Sequence, residues 1–194
     1  MSPVAFPGRG PRPGCLTAMV LSCDAGWAYR GVMSVQEPIQ GTAVAVLRED
    51  GQWRCIRMPE SALLDLDTAI TELRNTRSTG AAFALLNVDD EFFVLLRPAP
   101  GGVSMLLSDA TAALDYDIAA DVLDLLRIEL PDEDEDELWP EGDLGILADL
   151  GLSDAELTVI VEEDVYPDEQ LMMIAQRCGF AAPLATVLEH RESV

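Results

Sequence analysis

His190 is the only histidine in the chain, and with the cysteines at Cys15, Cys23, Cys55 and Cys178 it completes the inventory for nucleophilic or transition-metal chemistry. A Cys178–His190 pair would need the thiolate to be generated by an adjacent base. Cys178 is spaced like a buried helix residue, however, and His190 stands four residues from the C-terminus. Zinc needs three or four converging Cys, His or carboxylate ligands, and neither Cys-x-x-Cys nor His-x-Glu occurs. The twelve basic residues are all arginine, which removes Schiff-base chemistry, a lysine base and the P-loop lysine together. No cofactor is implied by any motif, and no pair of acids stands out for glycosidic chemistry.

What the chain does have is carboxylate. Thirty-five acidic residues against twelve arginines give a formal charge of −23. Residues 41–130 carry 7 Arg and 15 acids, for −8, whereas residues 131–194 carry 2 Arg and 18 acids, for −16. Phosphate affinity comes mainly from clustered Lys and Arg, so direct nucleic-acid binding is not expected; a basic protein partner, or a cation, is. The densest stretch is Asp132, Glu133, Asp134, Glu135, Asp136 and Glu137, followed by Trp139. Asp132, Asp134 and Asp136 have the alternate spacing of a calcium loop, but its sixth position is Glu137 rather than glycine and its twelfth is Asp143 rather than glutamate. The run therefore reads either as a solubilising linker or as a partner-binding segment in which Trp139 is an apolar anchor flanked by carboxylates.

The elements around these residues follow from periodicity. Thr42–Leu47 and Gln52–Met58 are strand-like runs on either side of Glu49-Asp50-Gly51, which predicts a hairpin. Leu63, Leu66, Ile70 and Leu73 fall three and four residues apart, which predicts an amphipathic helix over Ser61–Arg77. Ala82–Val88, Phe92–Arg97 and Val103–Ser108 read as an antiparallel meander, and Leu114, Ile118, Val122 and Leu125 as the stripe of a second helix whose outer face bears Asp117, Asp121 and Asp124. This ββαβββα order predicts an α+β domain over residues 41–130: a five-stranded antiparallel sheet with helices, similar in order to longin and profilin-like domains. Topology of this kind says little about function.

Residues 131–143 are expected as an acidic linker and residues 144–190 as a small helical subdomain. There Asp143 is expected to cap a helix ending at Gly151, Ser153-x-x-Glu156 has the form of a capping box, Pro167 suits a first turn and Gly179 a stop. At the other end, residues 1–32 are rich in Pro, Gly and Arg and are expected to be disordered, or an extension of the reading frame ahead of Met33. An alternative reading takes Arg9, Arg12 and the apolar run Leu16–Leu21 as a lipoprotein signal, with Cys23 lipidated and the protein anchored at a surface. No stretch of 18 apolar residues exists to span a membrane, and unpaired cysteine spacing fits reduced thiols in the cytoplasm.

From Trp139 the sequence runs Trp-Pro-Glu-Gly-Asp-Leu-Gly-Ile-Leu-Ala-Asp-Leu-Gly-Leu, then Tyr166-Pro-Asp-Glu-Gln-Leu and Ile174-Ala-Gln-Arg-Cys-Gly-Phe180. Together with the Ala43–Trp53 hairpin, these segments resemble the actinobacterial tRNA adenosine deaminase-associated proteins over roughly residues 40–190. The resemblance implies a non-catalytic accessory protein in tRNA modification, with a tRNA adenosine deaminase as candidate partner, and it carries over no catalytic residue. Zinc deaminases hold their metal with His-x-Glu and Pro-Cys-x-x-Cys; both are missing, so the chain is not itself the deaminase. An enzyme of unrecognised type is the remaining alternative.

Overall fold

A run of apolar residues too continuous for a one-sided sheet marks the centre of the molecule. In a computed structural model, which describes residues 39–76, 78, 80–131 and 138–189, the strands β1 (Gly41–Glu49), β3 (Ala81–Val88) and β4 (Phe92–Ala99) are buried on both sides. Successive side chains of a strand point to opposite faces. Ala43, Ala45, Ala84, Leu86, Val94 and Leu96 accordingly enter one core, and Val44, Val46, Phe83, Leu85, Phe93 and Leu95 the other. With β2 (Gln52–Arg57), β5 (Gly102–Leu107) and β6 (Glu141–Gly142) they make an antiparallel sheet in the order β2-β1-β3-β4-β5-β6.

The α+β class is as expected, but the sheet has six strands and not five. The sixth comes from within the segment expected as a linker: Gly142 lies opposite Leu106 and Glu141 opposite Leu107. A two-residue strand has no periodicity of its own; its pairing exists only because β5 offers a free edge.

The first face of the sheet is covered by α1 (Leu66–Asn75) and α2 (Asp117–Leu126). The helix expected over Ser61–Arg77 is divided, because Asp65 is extended and its carboxylate accepts the Thr68 amide at 2.7 Å, starting α1 there and leaving Glu60–Leu63 as a separate 3-10 turn. Asp is among the strongest N-caps, since its oxygen satisfies an otherwise orphaned amide. In α2 the buried residues are Ile118, Ala119, Val122 and Leu123, and Leu114 and Leu125 of the expected stripe are exposed.

The second face is closed by α3 (Asp154–Glu162), α4 (Pro167–Cys178) and α5 (Ala181–Glu189). These short helices pack on one another and on the sheet, so they share its core. The capping box at Ser153 and Glu156, proline in the first turn of α4 and left-handed Gly179 after it are all present. Buried Gln170 donates to the Val161 and Glu163 carbonyls, 3.0 Å each, which satisfies the last turn of α3 from α4. The helix expected from Asp143 to Gly151 is reduced to the 3-10 turn Ala148–Leu150. Asp143 instead accepts the Gly145 amide at 2.9 Å and a hydroxyl bond from Ser104, so its carboxylate holds a tight turn against β5.

Candidate functional site

Asp132–Glu137 lie outside the described residues, as do His190, Cys23 and residues 1–32; the structure does define both ends from which the acidic run departs. Leu130 on one side and Leu138 on the other are 59% and 64% exposed, so the run is bracketed by two large apolar side chains in solvent. Trp139 is half-buried. It packs against the core under α1 and α2, its indole N–H donates to Glu141 Oε1 at 3.1 Å, and its carbonyl accepts the Ala110 amide at 2.9 Å. An amphipathic indole with its polar edge satisfied is an anchor within the fold.

Carboxylates also gather on the folded surface. Asp65 and Asp67 at the start of α1, and Asp117 and Asp124 on α2, lie within electrostatic range of Asp121; partial burial and these four like charges push the Asp121 carboxyl above its ordinary range. Among the described residues no group of three His, Cys, Asp or Glu could hold a metal ion. Nor do the described cysteines offer a nucleophile. Burial pushes both the Cys55 and the Cys178 thiols up to about 11, the latter helped by Asp149 and Glu156, so both remain protonated at neutral pH.

A cleft of about 280 Å³ opens where one end of the sheet meets α4 and α5. Thr42 and Asn87 face each other across the β1–β3 pair on this side. Asp90 reaches it from the β3–β4 turn and Asp168 from the first turn of α4, while Leu171 and Leu184 form an apolar wall. The turn is tight: Asp89 and Asp90 both have positive φ, 51° and 54°, and Glu91 N donates to Val88 O at 3.0 Å. This conformation is usually given to Asn, Asp or Gly. Asp89 is tied down by the Gln40 amide at 2.5 Å, and Asp90 accepts Asn87 Nδ2 at 2.6 Å. Asn87 is only 7% exposed, and its Oδ1 is buried without a hydrogen-bond partner. The one sequence signal for this site was a polar residue, Asn87, at a core-facing position of an apolar strand.

Near the opposite end of the same helix layer, Trp53 of β2 packs on Phe83 and Phe180, with ring centroids 6.2 and 5.4 Å away, and Arg48 covers its other face at 5.1 Å. This aromatic group joins the edge strand to the α4–α5 corner and is structural. No helix among the described residues is long and apolar enough to cross a membrane.

Compared with known proteins, residues 41–181 match the family described as Rv3753c-like tRNA adenosine deaminase-associated protein. A relative in Mycobacterium tuberculosis (strain ATCC 25618 / H37Rv), Protein Rv3753c, is 56% identical over 163 residues, covering 80% of this chain and 94% of that one. No solved structure matches.

Proposed function

Because the chain belongs to the Rv3753c-like tRNA adenosine deaminase-associated protein family, we propose that it is a non-catalytic accessory protein of a tRNA adenosine deaminase in the cytoplasm, docking on a basic surface of that enzyme through Asp132–Glu137. The observation that carries this reading is the pair of exposed leucines, Leu130 and Leu138, on either side of six consecutive acids. A merely solubilising linker has no need of large apolar side chains in water at both ends; a docking segment uses them as its desolvated contacts, with the carboxylates supplying steering and register. Trp139, packed in the fold immediately behind, fixes where the segment emerges.

The partner surface follows from the chemistry. An enzyme that grips tRNA presents Arg and Lys to phosphates, and an extended chain advances about 3.3–3.6 Å per residue, close to the roughly 3.4 Å of helix axis per phosphate of one strand in a DNA duplex. Successive carboxylates on such a chain alternate between its two sides, and together they offer a phosphate-binding surface a comparable density of negative charge.

Binding of the purified protein to the deaminase, measured across a salt series, tests the proposal. Binding weakens steeply with salt, because exposed charges are screened over about 8 Å at physiological ionic strength. Replacing the six acids by Ser and Asn weakens it further, and added tRNA competes. A salt-insensitive complex that tolerates the replacement moves the interface onto the folded α+β layers, and absence of any complex at low salt removes physical docking altogether.

A further inference from the structure

An acceptor that nothing among the described residues satisfies lies at the cleft between the sheet end and α4–α5. Asn87 is more than nine-tenths buried. Its carboxamide has no freedom to exchange roles: Nδ2 donates to Asp90 at 2.6 Å, which leaves Oδ1 as an acceptor without a donor. Leaving such an acceptor bare costs stability, and a leucine there, as at Leu85 two residues earlier on the same face, would remove that cost. The group beside it, Asp90, sits in a turn that holds two aspartates at positive φ, a backbone conformation that glycine adopts with less strain. Asn87 and Asp90 both line the same cleft.

The remaining polar groups have one sign. Asp90 and Asp168 bring carboxylates from two different elements, Thr42 brings a hydroxyl, and no arginine among the described residues lines the cleft. The complement of one orphaned carbonyl and two carboxylates is a group rich in N–H and positively charged. The complement of Leu171 and Leu184 is an aliphatic stem. At about 280 Å³ the volume lies just under the ~300–1,000 Å³ of small-molecule pockets, which suits a ligand the size of one long side chain.

We infer that this cleft binds an aliphatic cation, a hydrocarbon chain ending in a guanidinium or ammonium group, with the charge drawn to the Asp90 and Asp168 carboxylates and an N–H offered to Asn87, whose side chain shifts to bring its buried Oδ1 to the ligand. The same chemistry is offered by a free small molecule and by an arginine or lysine side chain projected from a protein. The site is separate from the acidic run and its docking.

Amide NMR of the full chain, titrated with butylguanidinium chloride against 1-pentanol at matched ionic strength, tests the inference. Saturable shifts at Thr42, Asn87, Leu171 and Leu184 are expected with the cation and not with the alcohol. Asp168→Asn, an exposed change, weakens binding about tenfold by removing a charge-assisted contact. Asn87→Leu abolishes it; should that variant fail to give a dispersed spectrum, Asp168→Asn carries the test alone. A second titration uses the peptide Gly-Gly-Arg-Gly-Gly: binding as tight as the free cation assigns the site to a protein side chain, and binding of the free cation only assigns it to a small molecule. Equal shifts with cation and alcohol, or unchanged affinity in Asp168→Asn, overturn the inference.

Discussion

Arg97 of β4 and Asp149 of the turn before α3 meet in a two-pronged ion pair, Nη1 to Oδ1 and Nη2 to Oδ2, the latter at 2.7 Å, while Nη1 also donates to the Ile146 carbonyl at 2.7 Å. One side chain of the sheet thereby fixes the segment that leads from β6 into the second helix layer. The hydrogen bonds from Arg97 hold the Asp149 carboxyl below its ordinary range. A depressed carboxylate contributes stability that is complete above its unfolded value, about 4, and is lost as pH falls through the lower folded value. Arg97→Met is expected to cost about 1–2 kcal/mol at pH 7, tempered because Asp149 is well exposed. Urea titrations at pH 7 and pH 3 should show that difference shrinking in acid.

Asp121 behaves in the opposite sense. Its raised carboxyl marks an ionised form disfavoured by burial and by Asp65, Asp117, Asp67 and Asp124, so its contribution grows less unfavourable as pH falls through the folded value. Asp121→Asn should stabilise the protein at pH 7 by a few tenths of a kcal/mol for each relieved neighbour, about 0.2–0.5. Thermal melts should find the gain shrinking as pH falls below about 4, and its share due to neighbouring charges shrinking in high salt; a gain unchanged in both would mean that packing, not charge, is responsible.

Gly142 tests whether the sixth strand is a real element. A Cβ there would stand 2.2 Å from the Met105 carbonyl oxygen, at a φ of 117°. Gly142→Ala is therefore expected to lose about 1–3 kcal/mol and to speed hydrogen exchange of the β6 amides and of Asp143, which donates to Met105 at 2.8 Å. Gly101→Ala, whose Cβ would meet nothing within 4 Å, is the matched control and should change neither.

Trp139→Ala separates anchoring from docking. Removing a half-buried indole from the core should destabilise the fold by about 2–3 kcal/mol, whereas replacing Asp132–Glu137 should leave the melting temperature nearly unchanged and weaken only the complex. A Trp139→Ala variant that keeps full stability would return this residue to the surface as a contact.

Purified protein is expected to carry no stoichiometric zinc and to leave tRNA adenosine unchanged, since the His-x-Glu and Pro-Cys-x-x-Cys ligand set is missing from the sequence. Metal analysis by mass spectrometry beside a deamination assay decides it.

Where local chemistry governs, the sequence could be read directly. Ser153 and Glu156 satisfy each other's neighbouring amides within four residues, Pro167 needs no partner for its missing N–H, and Gly179 supplies its own left-handed turn. None of these depends on the rest of the molecule. The second helix stripe was less legible, because Leu125 continues the spacing of Ile118 and Val122 yet ends exposed, while small Ala119 takes the buried place. Helix α5 was hidden behind Gly179 and Pro183, residues that argue for a stop, although a proline in the first turn of a helix costs nothing. Of the cleft only polar Asn87, set in an apolar strand, left a mark in the sequence: Thr42, Asn87 and Asp168 meet only through the β1–β3 register and the seating of α4, which are tertiary facts.

The two-sided burial of the central strands sets a schedule for biosynthesis. When the ribosome has finished β5, residues such as Val46, Phe83, Phe93 and Leu106 belong to a face whose cover has not yet been made. Translation at about 5–20 residues per second leaves that face waiting on the order of 4–17 s for the remaining eighty or so residues. Until α5 emerges, the nascent chain is a sheet with one greasy side and a free strand edge, the kind of species that chaperones hold and that a premature stop codon beyond β5 would release as an aggregate.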